Sequence, residues 1–237
     1  MTNEKTLRNI TCLFTMKNII VYTFILITTI TTTFAQKDAD ARAILNPISK
    51  QYRSYNALKS DFTLLVTIGQ GGGSSTQTGT IITQPKANKF KMALNAPTGK
   101  VEQEIISDGK TQWVYNQADK EVQVNNVGKS TDGFNPADIF TIYEKGYKYL
   151  FTGTKKIGGK IYQEIELTAE NDKTNFFKIK LQVDKVKKQI YSAQIFDKNG
   201  NRYTYTIKSF TPNPPVTAAT FTYDAKAHPG VEVVDLR

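Results

Sequence analysis

The sequence of 237 residues contains 31 basic and 21 acidic side chains, one cysteine, one histidine and 39% hydrophobic residues. This hydrophobic content excludes an intrinsically disordered chain, which cannot bury enough apolar surface to offset its ordering entropy. The single cysteine and single histidine exclude a disulfide scaffold, a Cys-rich zinc module and a His-rich metal site. We expect one domain of ordinary size.

The N-terminus has the features of an export signal. An uncharged run from Ile19 to Ile30 follows Lys17, and it is shorter than the roughly 20 residues that a membrane-spanning helix needs. Two small residues, Thr33 and Ala35, follow the run. The pattern predicts a secretory signal peptide over residues 1–35, cleaved after Ala35, and a mature chain over 36–237. The alternative is an uncleaved membrane anchor.

The formal net charge of +10 limits the kinds of partner. A basic surface is typical of nucleic-acid binding, but an exported protein rarely meets nucleic acid. Attraction to anionic lipid headgroups or to an acidic partner suits an exported protein better. A solvated lysine-rich face without any partner remains an equal alternative.

The mature chain begins with a predicted helix. From Asp38 to about Leu58, the apolar residues recur at helical spacing, and Asp38 or Asp40 can cap the first turn. Pro47 lies within this segment, so we expect it to kink the helix or to start it afresh. The apolar positions of the predicted helix are Ile44, Ile48, Tyr52 and Tyr55.

Alternating apolar residues then predict a long series of strands. Asp108-Gly109, with a type I′ turn, and Asn199-Gly200 are typical hairpin connections between them. This spacing favours a mainly β fold in which an antiparallel sheet forms a closed or partly closed barrel. The eleven predicted strands cover residues 62–68, 79–84, 88–95, 101–107, 110–116, 120–125, 147–151, 161–167, 176–183, 189–196 and 203–210.

A second, short helix is predicted between the sixth and seventh strands. Asn135 and Pro136 are suited to the N-cap and first helical position, and Gly146 ends the pattern. Its apolar side consists of Ile139, Phe140, Ile142 and Tyr143.

Strand alternation also predicts a binding surface. We assign the apolar positions of four strands to one face of the sheet, which either packs as a solid core or encloses an apolar cavity. The residues on this predicted face are Phe62, Leu64, Val66, Phe90, Met92, Leu94, Thr111, Trp113, Tyr115, Val122 and Val124.

Residues suited to catalysis are few. His228 is the only histidine, and no serine lies in a G-x-S-x-G motif. The glutamate pairs Glu102/Glu104 and Glu164/Glu166 could act as paired carboxylates, but such spacing on a strand is more typical of a solvated face. We therefore predict a protein that is not an enzyme, with no metal site and no cofactor.

Four segments together resemble one known family. The segment 106–116, which reads ISDGKTQWVYN, is similar to the strand-turn-strand signature of LolA, the periplasmic carrier of outer-membrane lipoproteins. Residues 79–90, 181–185 and 197–205 resemble further motifs of the family in the same order. Residues 138–146 and 229–237 resemble its Bacteroidota branch.

The resemblance implies an incomplete, half-open antiparallel β-barrel of roughly eleven strands, covered by the N-terminal helix and by the short helix as a lid. It implies a periplasmic monomer that holds the acyl chains of lipoproteins in an apolar cavity. The implied partners are acylated lipoproteins, an inner-membrane lipoprotein-release ABC transporter, an outer-membrane acceptor and, transiently, the membrane surface. Phe90 and Met92 stand where the family has large apolar cavity residues, and Trp113 and Tyr115 occupy the strand after the Asp108-Gly109 turn.

The resemblance also points to a lid and a transfer residue. Ile139, Phe140 and Tyr143 would cover the cavity mouth. Lys86 stands where the family has an arginine that supports the closed lid, although lysine lacks the planar fork of arginine. Two other functions remain open: a shuttle of the same fold for another amphiphile, such as a glycolipid or lipid-linked pigment, and a periplasmic sensor or interaction domain with a solid core.

Overall fold

A computed structural model describes residues 38–127, 140–144, 146–171 and 174–237. The first element is helix α1 over residues 38–54, which continues through Pro47 without the expected break. Its buried side includes Ile48 and Tyr52 as predicted, but Leu45 is buried where the prediction had Ile44, which is half-buried. The buried residues of α1 are Ala41, Leu45, Ile48 and Tyr52, the spacing of one helix face.

Thirteen strands lie in the described ranges. The eleven predicted strands are all present, and two short strands near the C-terminus were not predicted. The bounds are β1 (Leu58–Thr67), β2 (Ser74–Gln84), β3 (Lys89–Asn95), β4 (Val101–Ser107), β5 (Thr111–Asn116), β6 (Glu121–Asn126), β7 (Tyr147–Ile157), β8 (Lys160–Ala169), β9 (Phe176–Asp184), β10 (Gln189–Asp197), β11 (Arg202–Ile207), β12 (Thr211–Pro212) and β13 (Glu232–Asp235).

All thirteen strands belong to one open sheet. Its order is β13-β6-β5-β4-β3-β2-β1-β11-β10-β9-β8-β7, with β12 beside β1. Among the described strand pairs, β13 with β6 is the one parallel pair. Because β7 and β13 are at the two edges and do not pair with each other, the barrel stays incomplete. The predicted half-open antiparallel barrel is therefore confirmed.

The main core lies between α1 and one face of the sheet, which we call the inner face. The buried side chains of α1 form one hydrophobic cluster with Phe62 and Leu64 of β1 and with apolar residues of β8 to β10. Ile165, Leu167, Ile179 and Leu181 from these strands are at most 1% exposed. Burial of this cluster supplies the main free energy that holds α1 on the sheet.

The opposite face, which we call the outer face, has a second cover at β2 to β6. The C-terminal segment over residues 217–236 includes the 3-10 helix Ala218–Phe221, which lies against β3. The rings of Tyr223 and His228 lie 6.1 Å and 4.6 Å from the ring of Tyr115 on β5. The chain end then adds β13 to the sheet edge beside β6.

Asp61 joins β1 to the chain that leaves β11. Its carboxylate accepts hydrogen bonds from Ser209 Oγ at 2.6 Å and from Thr80 Oγ1 at 2.7 Å. These two hydrogen bonds stabilise the charged form and lower the pKa of Asp61. The carboxylate therefore stabilises the irregular connection from β11 to β12 along one edge of β1.

Candidate functional site

Six of the predicted cavity residues do lie on the inner face. The pairing of β1 with β2 and of β2 with β3 places Phe62, Leu64 and Val66 on the same face as Phe90, Met92 and Leu94. Of these, Val66 is half-buried and the other five are between 3% and 7% exposed. In this arrangement, the predicted site is a surface packed beneath α1 rather than an empty cavity.

The other five predicted residues, which include Thr111, lie on the outer face, so the assignment of all eleven to one face was wrong. Phe90 pairs with Ser107, and Ser107 pairs with Gln112, so the even-numbered residues of β5 share the face of Phe90. The odd-numbered Trp113 and Tyr115 therefore point to the other face. They share it with their pairing partners on β6, Val124 and Val122.

The turn at Gly109 sets this register. Asp108 Oδ1 accepts hydrogen bonds from the backbone N–H groups of Lys110 and Thr111, and Gly109 has a φ of +93°. Lys110 has no positive φ, so the turn is not the type I′ turn that was predicted but has glycine at the first central position, as in type II′. The resulting pairing turns Trp113 and Tyr115 toward the C-terminal segment.

Two inner-face residues were missed. Ile105 and Val114 are directly paired on β4 and β5, and both are half-buried. Ile105 packs against the main core. Counting outward from the observed turn at Gly109-Lys110 gives this pairing, whereas a turn centred on Asp108-Gly109 would pair Ile105 with Gln112. Both counts place odd-numbered β4 residues with even-numbered β5 residues, and that was the signal that could have found them.

Part of the predicted lid packs on α1. Phe140 and Tyr143 are each 2% exposed, and the ring of Phe140 lies 5.1 Å from that of Tyr52 in an edge-to-face arrangement. A short 3-10 helix, Ile142–Glu144, follows Phe140. Ile139 and the predicted helix start at Asn135 lie outside the described residues. We refer to residues 140–144 as the cover segment.

Glu144 fastens the cover segment to α1. Its carboxylate accepts a hydrogen bond from Arg53 Nε at 2.9 Å, a second from Arg53 Nη2 and a third from Ser49 Oγ. The Glu144 side chain is 14% exposed and that of Arg53 60% exposed. A two-pronged guanidinium–carboxylate pair fixes both distance and orientation, so it sets the position of the cover segment.

We refer to the contacts of Glu144 with Arg53 and Ser49 as the latch. A pocket of about 330 Å³ opens beside the latch. Lys86 lies on its rim in the 3-10 helix Pro85–Ala87, exposed, with Nζ 3.4 Å from Asn56 Oδ1. Lys86 and Phe140 line the same pocket, so Lys86 lies near the cover segment. The lining consists of Tyr52, Arg53, Leu58, Thr83, Pro85, Lys86, Asn88, Phe140 and Thr141.

The buried tyrosines keep the interior uncharged. Burial raises the pKa values of Tyr52, Tyr143 and Tyr205 well above the ordinary range. Tyr52 accepts a hydrogen bond from the backbone N–H of Ile190 at 3.2 Å, whereas the buried hydroxyl of Tyr143 has no partner among the described residues. The site under the cover is therefore neutral and largely apolar.

The candidate catalytic residues are engaged in other contacts. Glu104 forms an ion pair of 2.9 Å with Lys91, and Glu166 one of 3.6 Å with Lys180. His228 stacks on Tyr223 with ring centroids 5.0 Å apart. Within the described ranges, no three His, Cys, Asp or Glu side chains are grouped as metal ligands. In the same ranges, no helix has the length and apolar character to span a membrane.

Comparisons with known proteins agree with this geometry. Residues 53–224 match the family described as "Outer membrane lipoprotein carrier protein LolA". An outer-membrane lipoprotein carrier protein of Histophilus somni (strain 2336) is 26% identical over 193 residues, which cover 81% of this chain and 88% of that protein.

One solved structure shows a similar fold, and a second is more distant. An uncharacterized conserved protein from Thermus thermophilus has a TM-score of 0.54 at 12% identity, covering 83% of this chain and 99% of the other. A LolA superfamily protein from Nitrosomonas europaea has a TM-score of 0.43 at 12% identity, covering 78% and 98%. Since the family match extends over more than half of the sequence, the chain belongs to the LolA family of outer membrane lipoprotein carrier proteins.

Proposed function

We propose that this protein is a periplasmic carrier that shields the acyl chains of lipoproteins between the inner and the outer membrane. It works by binding and release rather than by catalysis. Membership of the LolA family supports a lipoprotein-binding carrier, and the signal-like N-terminus supports export. The proposed unit is a single carrier domain over residues 36–237.

The observation that carries the proposal is the apolar inner face under a separately fastened cover. Phe62, Leu64, Met92 and Leu94 form one surface with the underside of α1. An exposed acyl chain costs about 0.8 kcal/mol for each CH₂ in water, so a carrier needs such a surface to keep its cargo soluble.

Cargo entry requires the cover to move. The pocket of about 330 Å³ is at the small end of ligand sites, and a triacylated cysteine carries three long chains. We infer that the cover segment separates from α1 and that α1 then moves off the inner face, so that acyl chains replace Phe140, Tyr143 and the buried side of α1. Lys86 at the pocket rim is suited to contact the polar end of the cargo.

The proposed cycle needs partners at both membranes. An inner-membrane ABC transporter would supply the lipoprotein, because extraction of acyl chains from a bilayer is strongly unfavourable. An outer-membrane acceptor would remove it, and brief contact with the membrane surface would accompany both steps. The carrier would act as a monomer without a cofactor.

A release assay tests the proposal. The purified processed protein is incubated with spheroplasts that synthesise a radiolabelled triacylated lipoprotein and contain active release machinery. We expect a soluble complex of carrier and labelled lipoprotein on size exclusion. If the label stays in the membrane while the carrier is folded, the lipoprotein proposal fails. Recovery of the carrier with only non-protein lipid would then favour another amphiphile as cargo.

A matched pair of variants tests the inner face. Phe90 and Met92 are too deeply buried for a charge, because glutamate there would first destabilise the fold. Ile105→Glu places the charge on a half-buried inner-face position instead, and Leu65→Glu makes the same change at an outer-face residue that is 37% exposed. We expect Ile105→Glu to abolish the soluble complex and Leu65→Glu to retain it. Equal complex formation would contradict the assigned surface.

A further inference from the structure

One end of the sheet carries a cluster of cations around aromatic rings on the outer face. Phe196 near the end of β10 pairs with Lys178 of β9 and Arg202 of β11, so these three side chains point to the same side. Lys178 Nζ, Arg202 Cζ and Lys180 Nζ lie 5.4, 5.8 and 5.9 Å from the centre of the Phe196 ring. We refer to Phe177, Lys178, Lys180, Phe196 and Arg202 as the basic end patch.

The basic end patch also exposes apolar surface. A β-bulge lies between the Phe196 and Asp197 pairs, and the ring of Phe177 lies 6.5 Å from that of Phe196. Phe177 is 40% exposed, and Ile68, directly after the β1 strand end that pairs with Arg202, is 49% exposed. Apolar side chains among cations are typical of surfaces that enter the interface of a lipid bilayer.

The charge of the patch is only partly compensated. Glu166 lies 3.6 Å from Lys180. Asp197 is buried and accepts hydrogen bonds from the backbone N–H groups of Asn199 and Asn201. Glu170 is the exposed carboxylate that follows β8 at the same end. Within the described part of the chain, the contacts of Lys178 and Arg202 are with aromatic rings, so these two cations are suited to an anionic surface.

We propose that the basic end patch binds the headgroup region of an anionic phospholipid bilayer. Its residues lie at the start of β9, at the end of β10 and at the start of β11, so they share one end of the sheet. The cations would lie at the phosphates, while Phe177 and Ile68 enter the interface. Exposed apolar side chains beside the cations favour a bilayer over an acidic protein, because a bilayer interface accommodates both. The proposal rests on the proposed function only for the membrane contact, which it assigns to a particular surface, and it holds for any cargo.

Vesicle flotation tests the proposal. The protein is recovered from the periplasm as the cell exports it, and its intact mass verifies that the apolar run at 19–30 has been removed. Binding is measured on phosphatidylcholine vesicles with and without about one third phosphatidylglycerol. We expect binding that requires phosphatidylglycerol and weakens with added salt, since exposed charges are screened.

Two triple variants with the same change in charge separate the patch from net charge. Lys178→Gln/Lys180→Gln/Arg202→Gln removes the cations of the patch, and Lys155→Gln/Lys156→Gln/Lys160→Gln removes three exposed lysines at the far end of the β7–β8 hairpin. We expect the first to lose about tenfold or more in vesicle affinity and the second to change it little. Both are compared only if their melting temperatures match the parent, and Arg202→Gln alone replaces the first variant if it unfolds.

Three results would overturn the proposal. The first is an equal loss of affinity in both triple variants, and the second is an unchanged affinity in the patch variant. The third is no flotation of the parent protein with the vesicles. This third result would leave an acidic protein as the partner of the patch. Lipoprotein capture is assayed on the same variants. Loss of vesicle binding with capture intact would separate the patch from the carrier site.

Discussion

Replacing Glu144 with alanine removes every hydrogen bond that fastens the cover segment to Arg53 and Ser49. Hydrogen bonds to charged groups are worth about 1.5–3 kcal/mol each when shielded, but exposed ion pairs only about 0–1 kcal/mol. Since Arg53 is 60% exposed, solvent screens much of the interaction. We therefore assign about 1–2 kcal/mol to the whole latch.

This free energy has a measurable consequence for binding. If only the open cover admits an apolar ligand, the apparent dissociation constant is the intrinsic one divided by the open fraction. A loss of about 1.4 kcal/mol raises the open-to-closed ratio about tenfold. While the open form remains rare, Glu144→Ala should therefore bind N-phenylnaphthylamine about five- to tenfold more tightly. The backbone N–H of residue 144, which donates to Thr141 O at 2.9 Å, should exchange with solvent faster by a similar factor.

The matched control lies on the same helix. Asp38→Ala removes the carboxylate of the exposed Arg42–Asp38 pair, whose side chains are 53% and 38% exposed. We expect Asp38→Ala to leave probe affinity and exchange at residue 144 unchanged. The latch assignment is refuted if Glu144→Ala behaves like Asp38→Ala in both measurements while circular dichroism shows an intact fold.

Three further predictions concern stability. Gly79→Ala should lower the free energy of unfolding by about 1–3 kcal/mol in urea titrations, because a Cβ there would lie 2.5 Å from the Phe62 ring. The control Gly73→Ala should leave the free energy of unfolding unchanged, because a Cβ at Gly73 would meet open space. Tyr143→Phe should be neutral or stabilising by up to about 1 kcal/mol in the same titration, since it removes a buried hydroxyl that has no described partner. The lowered pKa of Asp61 means that its stabilisation is complete above its unfolded pKa, near about 4, and is lost as the pH falls through its folded pKa. Ser209→Ala should therefore lower the melting temperature more at neutral pH than at a pH below the folded pKa, where the carboxyl is protonated.

The sequence predicted the parts of the fold that depend on local alternation. Strands β1 to β11 were recognised because apolar residues alternate along them, and in most of these strands one side is more buried than the other. Strand β12, Thr211–Pro212, has only two residues and exists because β1 lies beside it. Strand β13 pairs in parallel with β6, and more than a hundred residues separate the two strands in the sequence. No turn motif between neighbouring strands could therefore predict this pairing.

The site was harder to predict because it depends on register and on distant contacts. Trp113 and Tyr115 belong to an alternating strand, but alternation alone does not say which side is inner. The more aromatic side of β5 faces outward, where Tyr223 and His228 cover Tyr115. The latch joins residues 91 positions apart, and no local pattern links Arg53 to Glu144.

The closed arrangement also bears on how such a carrier could release its cargo. The inner face is already filled by α1, Phe140 and Tyr143, so an acyl chain entering it exchanges one set of apolar contacts for another. The net binding free energy is then the difference between the free energy of burying the acyl chain and that of burying the side chains which it displaces. It is therefore smaller than the full value of about 0.8 kcal/mol per CH₂. A cover that packs well in the empty state therefore lowers affinity for cargo and favours its release. On this reasoning, weakening the latch should improve uptake and impair handover at the outer membrane, because the empty state gains less when the cover closes.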